Sequence, residues 1–314
     1  MTWILLTNDD GIKADSLQDL VSALYEKGHK CVVFAPSENN SAVSMKISLG
    51  KPLTVTRIED EREGIHQFSI GGTPCDCVIA ALDGGLQKLV PGVIPKLVVS
   101  GVNLGPNLSQ DAYHSGTIAA AREAGMYGMP AIASSWSSFD PEGMEIAIDA
   151  TIQLIESALA ILPDEPANLN RPHVDVHAPH LTSWPKESQR KWEDGPINAL
   201  RKSFAAGEIL LNLNVPRGWN GSFATTRLGM RWYRSAITFS NDTSTFQLGA
   251  ARIDVDEVDR GDVDSDIIGV ASVTCMPSWP QTHPLEMDMS LLAWSLKNSK
   301  SGLPIWLESA TIQD

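Results

Sequence analysis

The first half of the chain alternates between two hydrophobic patterns. Short apolar runs, typical of buried strands, alternate with segments whose apolar residues recur at helical spacing. The predicted strands are Trp3–Thr7, Lys30–Ala35, Lys96–Ser100 and Ala131–Ser134, with weaker ones at Leu53–Thr56 and Gln67–Ile70. The predicted helices are Ser16–Glu26, Asp76–Leu82 and Thr117–Met126. This alternation predicts an α/β fold, a Rossmann-like, doubly wound and mostly parallel sheet.

The second half is less regular and richer in short strand-like runs. Its predicted elements are a long amphipathic helix at Gly143–Leu162, a strand at Glu208–Val215, two or three strand-like runs within 223–248 that could pair as a hairpin, and a last helix at Ser290–Ser295. Residues 163–172 read as a linker, and 173–206 carry no clear pattern. We therefore expect a Rossmann-like core at 1–162. Residues 163–314 would form a β-rich extension that completes part of the sheet and mediates oligomerisation.

Composition narrows the class of protein. The chain has 314 residues, of which 43% are hydrophobic and 20% charged, as in ordinary globular proteins. Its net charge of −14 argues against binding to a nucleic-acid polymer. No apolar stretch is long enough to span a membrane, and no secretory leader is visible, so we expect a cytoplasmic protein without a membrane partner. The four cysteines are too few and too scattered for a disulfide framework.

Two adjacent carboxylates, Asp9 and Asp10, follow the first predicted strand directly. In an open α/β sheet, ligands bind outside the carboxyl ends of the strands. Two carboxylates placed there repel each other unless a cation or a proton joins them. Taken alone, the sequence Asp-Asp-Gly is compatible with a solvated turn. A divalent metal site built of oxygen ligands is the alternative that the rest of the chain favours.

Three further segments should lie at the same edge of the sheet. Ala35–Ser41 is a polar loop after the second strand, and Val98–Asn107 runs from a strand into a Gly-rich loop. Ser115 and Thr117 precede an Ala-rich helix, where they either cap the helix or help its N-terminus to bind phosphate. Together, the segments predict a metal-dependent phosphate-ester hydrolase. One carboxylate would hold the ion and the other would accept a proton from the attacking water.

Five motifs, in the same order, resemble the SurE (survival protein E) nucleotidases. They are Ile4–Gly11, Ala35-Pro36 with Asn40-Ser41, Gly72–Val78, Val99–Asn107 and Ser115–Ala121. The resemblance covers residues 1 to about 135 and returns weakly at Leu211–Pro216, Asp264–Asp266 and Val270–Pro277.

The resemblance implies a 5′-nucleotidase that hydrolyses nucleoside 5′- or 3′-monophosphates with one Mg²⁺ or Mn²⁺ ion. It also implies a homodimer or homotetramer assembled through the C-terminal part. By motif, Asp9 and Asp10 would be catalytic. The implied metal ligands are Asp9, Asp10, Ser41 and Asn103. The implied phosphate-binding residues are Asn107, Ser115, Gly116 and Thr117.

The sequence departs from the family pattern at three places. Ala42 stands where the family commonly has Gly after the ligand Ser, and His114 stands where it often has Tyr. His114 would either contact the substrate or fill the space of that Tyr. Residues 163–206 also differ from the family pattern.

Other functions remain as alternatives. If Ala42 and His114 have disabled catalysis, the chain would be a nucleotide- or phosphate-binding sensor of the same fold. A receiver-like signalling module lacks support, because Ser100 stands where a receiver needs a phosphorylatable Asp. A dinucleotide-binding dehydrogenase fits poorly, since no G-x-G-x-x-G follows the first strand. His173, His177 and His180 could form a zinc site or could be scattered surface side chains.

Overall fold

The computed structural model describes residues 2–164, 192–249 and 251–308. Their thirteen strands are β1 (Trp3–Thr7), β2 (Lys30–Pro36), β3 (Val55–Ile58), β4 (Ile65–Ile70), β5 (Pro95–Leu104), β6 (Ala131–Trp136), β7 (Ile209–Val215), β8 (Phe223–Thr226), β9 (Met230–Arg234), β10 (Ile237–Phe239), β11 (Phe246–Leu248), β12 (Arg252–Asp256) and β13 (Ala271–Pro277). Their nine α-helices are α1 (Asp15–Glu26), α2 (Pro74–Ala80), α3 (Leu86–Leu89), α4 (Asp111–His114), α5 (Gly116–Met126), α6 (Met144–Ile161), α7 (Gly195–Ala205), α8 (Asp262–Ile267) and α9 (Met289–Ser295).

A nine-stranded sheet in the order β3-β4-β2-β1-β5-β6-β7-β13-β8 forms the centre of the fold. The six strands from β4 to β7 run parallel, whereas β3 and β13 each pair antiparallel with their inner neighbour. The prediction of a doubly wound, mostly parallel α/β sheet is therefore confirmed. Because the strands are parallel, the loops after β1, β2 and β5 emerge at one edge.

Alternate residues of the central strands pack on opposite faces of this sheet. Ile4 and Leu6 face a core that includes α1 and α6, whereas Leu5 faces a second core that includes α2 and α5. Strand β1 is thus apolar on both faces, which explains the unbroken run of its sequence. Because both faces are buried, the apolar run determines where the strand lies and where its polar end begins.

The boundaries of β5 and α2 differ from the prediction, and that of β5 affects the site. β5 continues to Leu104 rather than ending at Ser100, because the ladder with β6 resumes at Asn103 after a register shift. Asn103 therefore lies on a strand and not in a loop. Helix α2 begins at Pro74, where Thr73 and Asp76 form a capping box, and a π-helical turn continues it to Gly85.

The C-terminal half contributes strands to the same sheet and also a projecting arm. β7, β13 and β8 extend the sheet. Within the predicted hairpin region, β10 and β11 pair antiparallel as a hairpin, which confirms that prediction, and β9 pairs with β12 as a second ribbon. We call the described residues of 230–256 the arm. The division at residue 162 stays a prediction.

His173, His177 and His180, which the sequence offered as either a zinc site or scattered surface side chains, lie outside the described residues. Within the described ranges, no helix combines the length and the apolar character needed to cross a membrane.

Candidate active site

Asp9 and Asp10 lie at the carboxyl end of β1, as expected. Asp9 is only 3% exposed, and Asp10 is half-buried. Burial raises the pKa of Asp9 to about 6, a hydrogen bond from Thr117 acts against this, and the charge of Asp10 adds to it. Burial also raises the pKa of Asp10. No ion pair among the described residues involves either carboxylate.

The loop after β2 packs directly on this carboxylate pair. The Asn39 side-chain amide donates to Asp10 Oδ1 (3.1 Å), and the Asn40 N–H donates to the Asp9 carbonyl (2.6 Å). The exposed Ser41 hydroxyl donates to Asn39 Oδ1 (2.7 Å). Asn39 thus connects Ser41 to Asp10. Sequence reasoning had not singled out this residue, although it lies within the polar loop that was predicted to matter.

Asn103 approaches the pair from the end of β5. Its side-chain amide donates to the Gly105 carbonyl (2.7 Å), which leaves the Oδ1 atom as the free acceptor. The next residue, Leu104, donates its N–H to Asp10 Oδ2 (3.3 Å). The ends of β1, β2 and β5 therefore converge on the two carboxylates.

The N-terminus of α5 completes the group. The buried Thr117 hydroxyl donates to Asp9 Oδ1 (2.7 Å), so this side chain serves the carboxylate. Ser115 Oγ accepts from the Ile118 N–H (3.0 Å), which makes Ser115 the N-cap. Gly116 touches the pair so closely that an added Cβ would lie 2.9 Å from the Cβ of Asp9. Glycine is therefore required by the close approach of helix and carboxylate.

Asn107 is held mainly by strands of the sheet. Its side-chain amide donates to Ser135 Oγ (2.8 Å), its N–H donates to Asn214 Oδ1 (2.7 Å), and its carbonyl accepts from Asn212 (3.0 Å) and Asn214 (3.2 Å). Both of its donor groups are thus used within the protein. Its role as a phosphate contact stays a prediction. The sequence signal for its partners is the two Asn residues within the apolar strand β7.

Two of the three departures from the family pattern, Ala42 and His114, lie beside these residues. Ala42 has a φ of 56°, in the left-handed region that favours glycine. His114 is exposed, and its carbonyl accepts from the Ser44 N–H (2.9 Å). Ala42, directly after Ser41, therefore carries a Cβ in a backbone conformation that is strained for any residue except glycine.

Comparison with known proteins identifies the family. The family model described as Survival protein SurE matches residues 4–235, which is well over half of the chain. This chain belongs to the SurE family. Proteins named 5′-nucleotidase SurE from Prochlorococcus marinus (strain MIT 9515) and Synechococcus sp. (strain CC9311) are 36% and 37% identical over 236 and 194 residues. These matches cover 69% and 61% of this chain, and 83% and 71% of the relatives.

A solved structure shows that the SurE fold extends beyond the matched sequence. The SurE protein of Aquifex aeolicus superposes with a TM-score of 0.61 at 21% identity, covering 89% of this chain and 95% of the other. At this identity the likeness establishes the fold alone. The fold predicted from the sequence is therefore confirmed by a SurE neighbour as well as by the sheet itself.

The chemistry of this SurE site suits a hard cation. The described residues contain no cluster of three or more His, Cys, Asp or Glu side chains fit for a metal. The available donors are instead two carboxylates, the Asn103 Oδ1 atom and the Ser41 hydroxyl. All are oxygen, which Mg²⁺ and Mn²⁺ prefer, and no cationic side chain compensates the carboxylates. The residues fit the implied ion.

The strain at Ala42 gives a stability prediction. Because a left-handed residue with a Cβ costs about 1–2 kcal/mol more than glycine, Ala42→Gly should raise the free energy of unfolding by about 1 kcal/mol. Urea unfolding followed by circular dichroism measures this. Ala23 lies inside helix α1, where glycine is less favourable than alanine by about 1 kcal/mol, so Ala23→Gly is the control and should destabilise. Equal loss of stability in both variants would contradict the assignment of strain.

Proposed function

We propose that this SurE protein is a metal-dependent 5′-nucleotidase that hydrolyses nucleoside 5′-monophosphates, and also 3′-monophosphates, to nucleoside and phosphate. The family and the names of its relatives support the phosphatase activity. The main structural support is the pair of buried Asp9 and half-buried Asp10. Among the described residues this pair has no cationic side-chain partner, and Asp9 lies against the N-terminus of α5. A small phosphate ester suits this setting, since a helix N-terminus favours an anion.

The ion would be held by Asp9, Asp10, Ser41 and Asn103. Two carboxylates supply the charge, and the two neutral oxygens complete part of an oxygen set that suits one Mg²⁺ or Mn²⁺ ion. When bound, such an ion polarises phosphoryl oxygens and lowers the pKa of water.

The chain's own residues would divide the remaining work. One of the two carboxylates, Asp9 or Asp10, would accept the proton of the attacking water. The phosphate would lie at the start of α5, near Ser115, Gly116 and Thr117. The Thr117 hydroxyl already serves Asp9, so we propose that Thr117 acts mainly by holding that carboxylate.

Phosphate release from a panel of nucleoside 5′- and 3′-monophosphates tests the activity. We expect release with Mg²⁺ or Mn²⁺, loss of release with EDTA, and a fall of roughly 100-fold or more for Asp10→Asn. Asp15→Asn is the matched control, because Asp15 is an exposed carboxylate on α1, and it should retain wild-type turnover.

Other outcomes would change the assignment. Near-normal turnover of Asp10→Asn would remove Asp10 from the site. If no ion supports release but a monophosphate still binds in the presence of metal, the sensor function would replace the nucleotidase.

The close contact between Gly116 and Asp9 gives a second prediction. A Cβ at residue 116 would also lie 3.3 Å from the Asn40 carbonyl, so Gly116→Ala must displace Asp9 or the helix. Such overpacking costs about 1–3 kcal/mol, and if Asp9 moves we expect kcat to fall by about ten-fold or more. Gly218→Ala is the control, since a Cβ there meets nothing within 4 Å. Wild-type kcat for Gly116→Ala would argue that Asp9 needs no fixed position.

We also propose that the chain forms a homodimer or homotetramer through the arm. The arm exposes many large apolar side chains, which is unusual for a monomer. They are Met230, Trp232, Tyr233, Ile237, Phe239, Phe246, Leu248, Ile253 and Val255. The β10–β11 ribbon belongs to neither the main sheet nor the β9–β12 ribbon, so arms of neighbouring copies could cover these side chains and the open strand edges.

Light scattering after size-exclusion chromatography tests this assembly. We expect two or four times the chain mass for the wild type, and a lower mass for Phe239→Ser combined with Phe246→Ser. The centroids of these two rings lie 5.8 Å apart on the β10–β11 ribbon, with the ring planes tilted by 60°. Leu49→Ser, at an 80% exposed site outside the arm, should leave the mass unchanged. A wild-type monomer would refute the proposal.

A further inference from the structure

The connection between β5 and α5, residues 105–115, carries Asn107 and Ser115. It is fastened at several points by residues more than 90 positions later in the chain. Its first half is anchored to β7 through Asn107, as described above. Its second half contains α4 and is anchored to the base of the arm.

Both carboxylate oxygens of Asp111 accept hydrogen bonds from β9. Arg231 Nη1 donates to Asp111 Oδ2 (2.8 Å), and the Tyr233 hydroxyl donates to Asp111 Oδ1 (2.6 Å). Arg231 and Tyr233 are two positions apart, so they project from the same face of the strand. The side chains of Asp111 and Arg231 are only 18% and 15% exposed. A charged pair so shielded from water is more strongly coupled than a surface pair.

A second buried carboxylate strengthens the same junction. Asp262, which is fully buried, accepts from the Ser109 N–H (3.1 Å) and from the Gly229 N–H (2.7 Å). The Ser109 hydroxyl donates to the Gly229 carbonyl (2.9 Å). The turn before β9 and the residues before α4 are therefore held as one unit.

Asp111 is linked directly to the residue that caps α5. The Ser115 N–H donates to the Asp111 carbonyl (3.0 Å), which closes the single turn of α4. Ser115 Oγ then caps α5, and Gly116 follows against Asp9. A displacement of Asp111 would thus be passed through one helical turn to Ser115 and Gly116. Asp10 is held separately, by Asn39 and Leu104, whereas Asp9 is held by Thr117 in the first turn of α5.

We propose that Asp111, Arg231 and Tyr233 are positioning residues that fix Ser115 and the start of α5 for the phosphate group of the substrate. The inference rests on the proposed nucleotidase function and deepens it. It assigns to the base of the arm control of phosphate affinity rather than of the position of Asp10, which other elements hold. None of the three residues needs to touch the substrate.

Tyr233→Phe is the sharpest test, because it removes one hydroxyl and leaves the ring. We expect the KM for a nucleoside 5′-monophosphate and the inhibition constant of inorganic phosphate to rise by about 3- to 10-fold, the effect of losing one such hydrogen bond. The kcat should change by less than about two-fold, and Mn²⁺ affinity, measured by electron paramagnetic resonance, should stay at the wild-type value.

Trp232→Phe is the matched control on the neighbouring position of β9. The indole N–H of Trp232 donates to Asp256 within the arm (3.2 Å) and not to the connection. It should leave KM and phosphate inhibition unchanged. Arg231→Gln should raise KM as Tyr233→Phe does, and Arg231→Lys, which keeps the charge, should recover part of the loss.

Amide hydrogen exchange separates failure of this inference from failure of the proposed function. Faster exchange at residues 109–116 in Tyr233→Phe, but not in Trp232→Phe, would support the positioning role even if the wild type released no phosphate. Unchanged exchange together with an unchanged KM in Tyr233→Phe would overturn it. A joint loss of Mn²⁺ and phosphate affinity would also overturn it, because it would indicate general destabilisation.

Discussion

The burial of two adjacent carboxylates is the constraint on which the carboxyl edge of this sheet depends. Asp9 and Asp10 lose water without gaining a cationic side chain, and burial raises the pKa of both. Their charge is offset by neutral donors from Thr117, Leu104 and Asn39. These donors come from α5, β5 and the loop after β2. Only the order β2-β1-β5 brings the three together around the end of β1.

Much of this arrangement could be predicted because its causes are local in sequence. The apolar run of β1 fixes a strand buried on both faces, and the polar residues that follow must lie at its end. The same reasoning locates Asn103 and Ser115 at one edge, because parallel strands share a direction. Ser115 as an N-cap follows from its place before an Ala-rich helix. The sequence pattern therefore predicts at which edge of the sheet each side chain lies.

Partners across the fold could not be predicted in the same way. Thr117 reads as a helix-start residue, but its hydroxyl points to Asp9, over a hundred positions earlier in the chain. Asn107 reads as a ligand, yet Ser135 and Asn214 use its donors. The pairing of Asp111 with Arg231 spans 120 positions and leaves no local pattern. Tertiary contacts of this kind decide which polar groups remain free, and hydrophobic periodicity carries no information about them.

The two halves of the chain hold different sides of the same edge. The carboxylates and the proposed metal ligands are held by residues no later than Thr117 in the chain. These contacts lie within the parallel half of the sheet. The connection that leads to Ser115 is fixed mainly by β7, by β9 and by Asp262, all of which follow residue 207. Residues from both sides of the predicted division at residue 162 therefore contribute contacts at this edge. Hydrogen bonds to Asp111 and Asp262 hold the base of the arm against the connection that leads to Ser115. The arm can thus carry exposed apolar residues while its base is held by these two carboxylates.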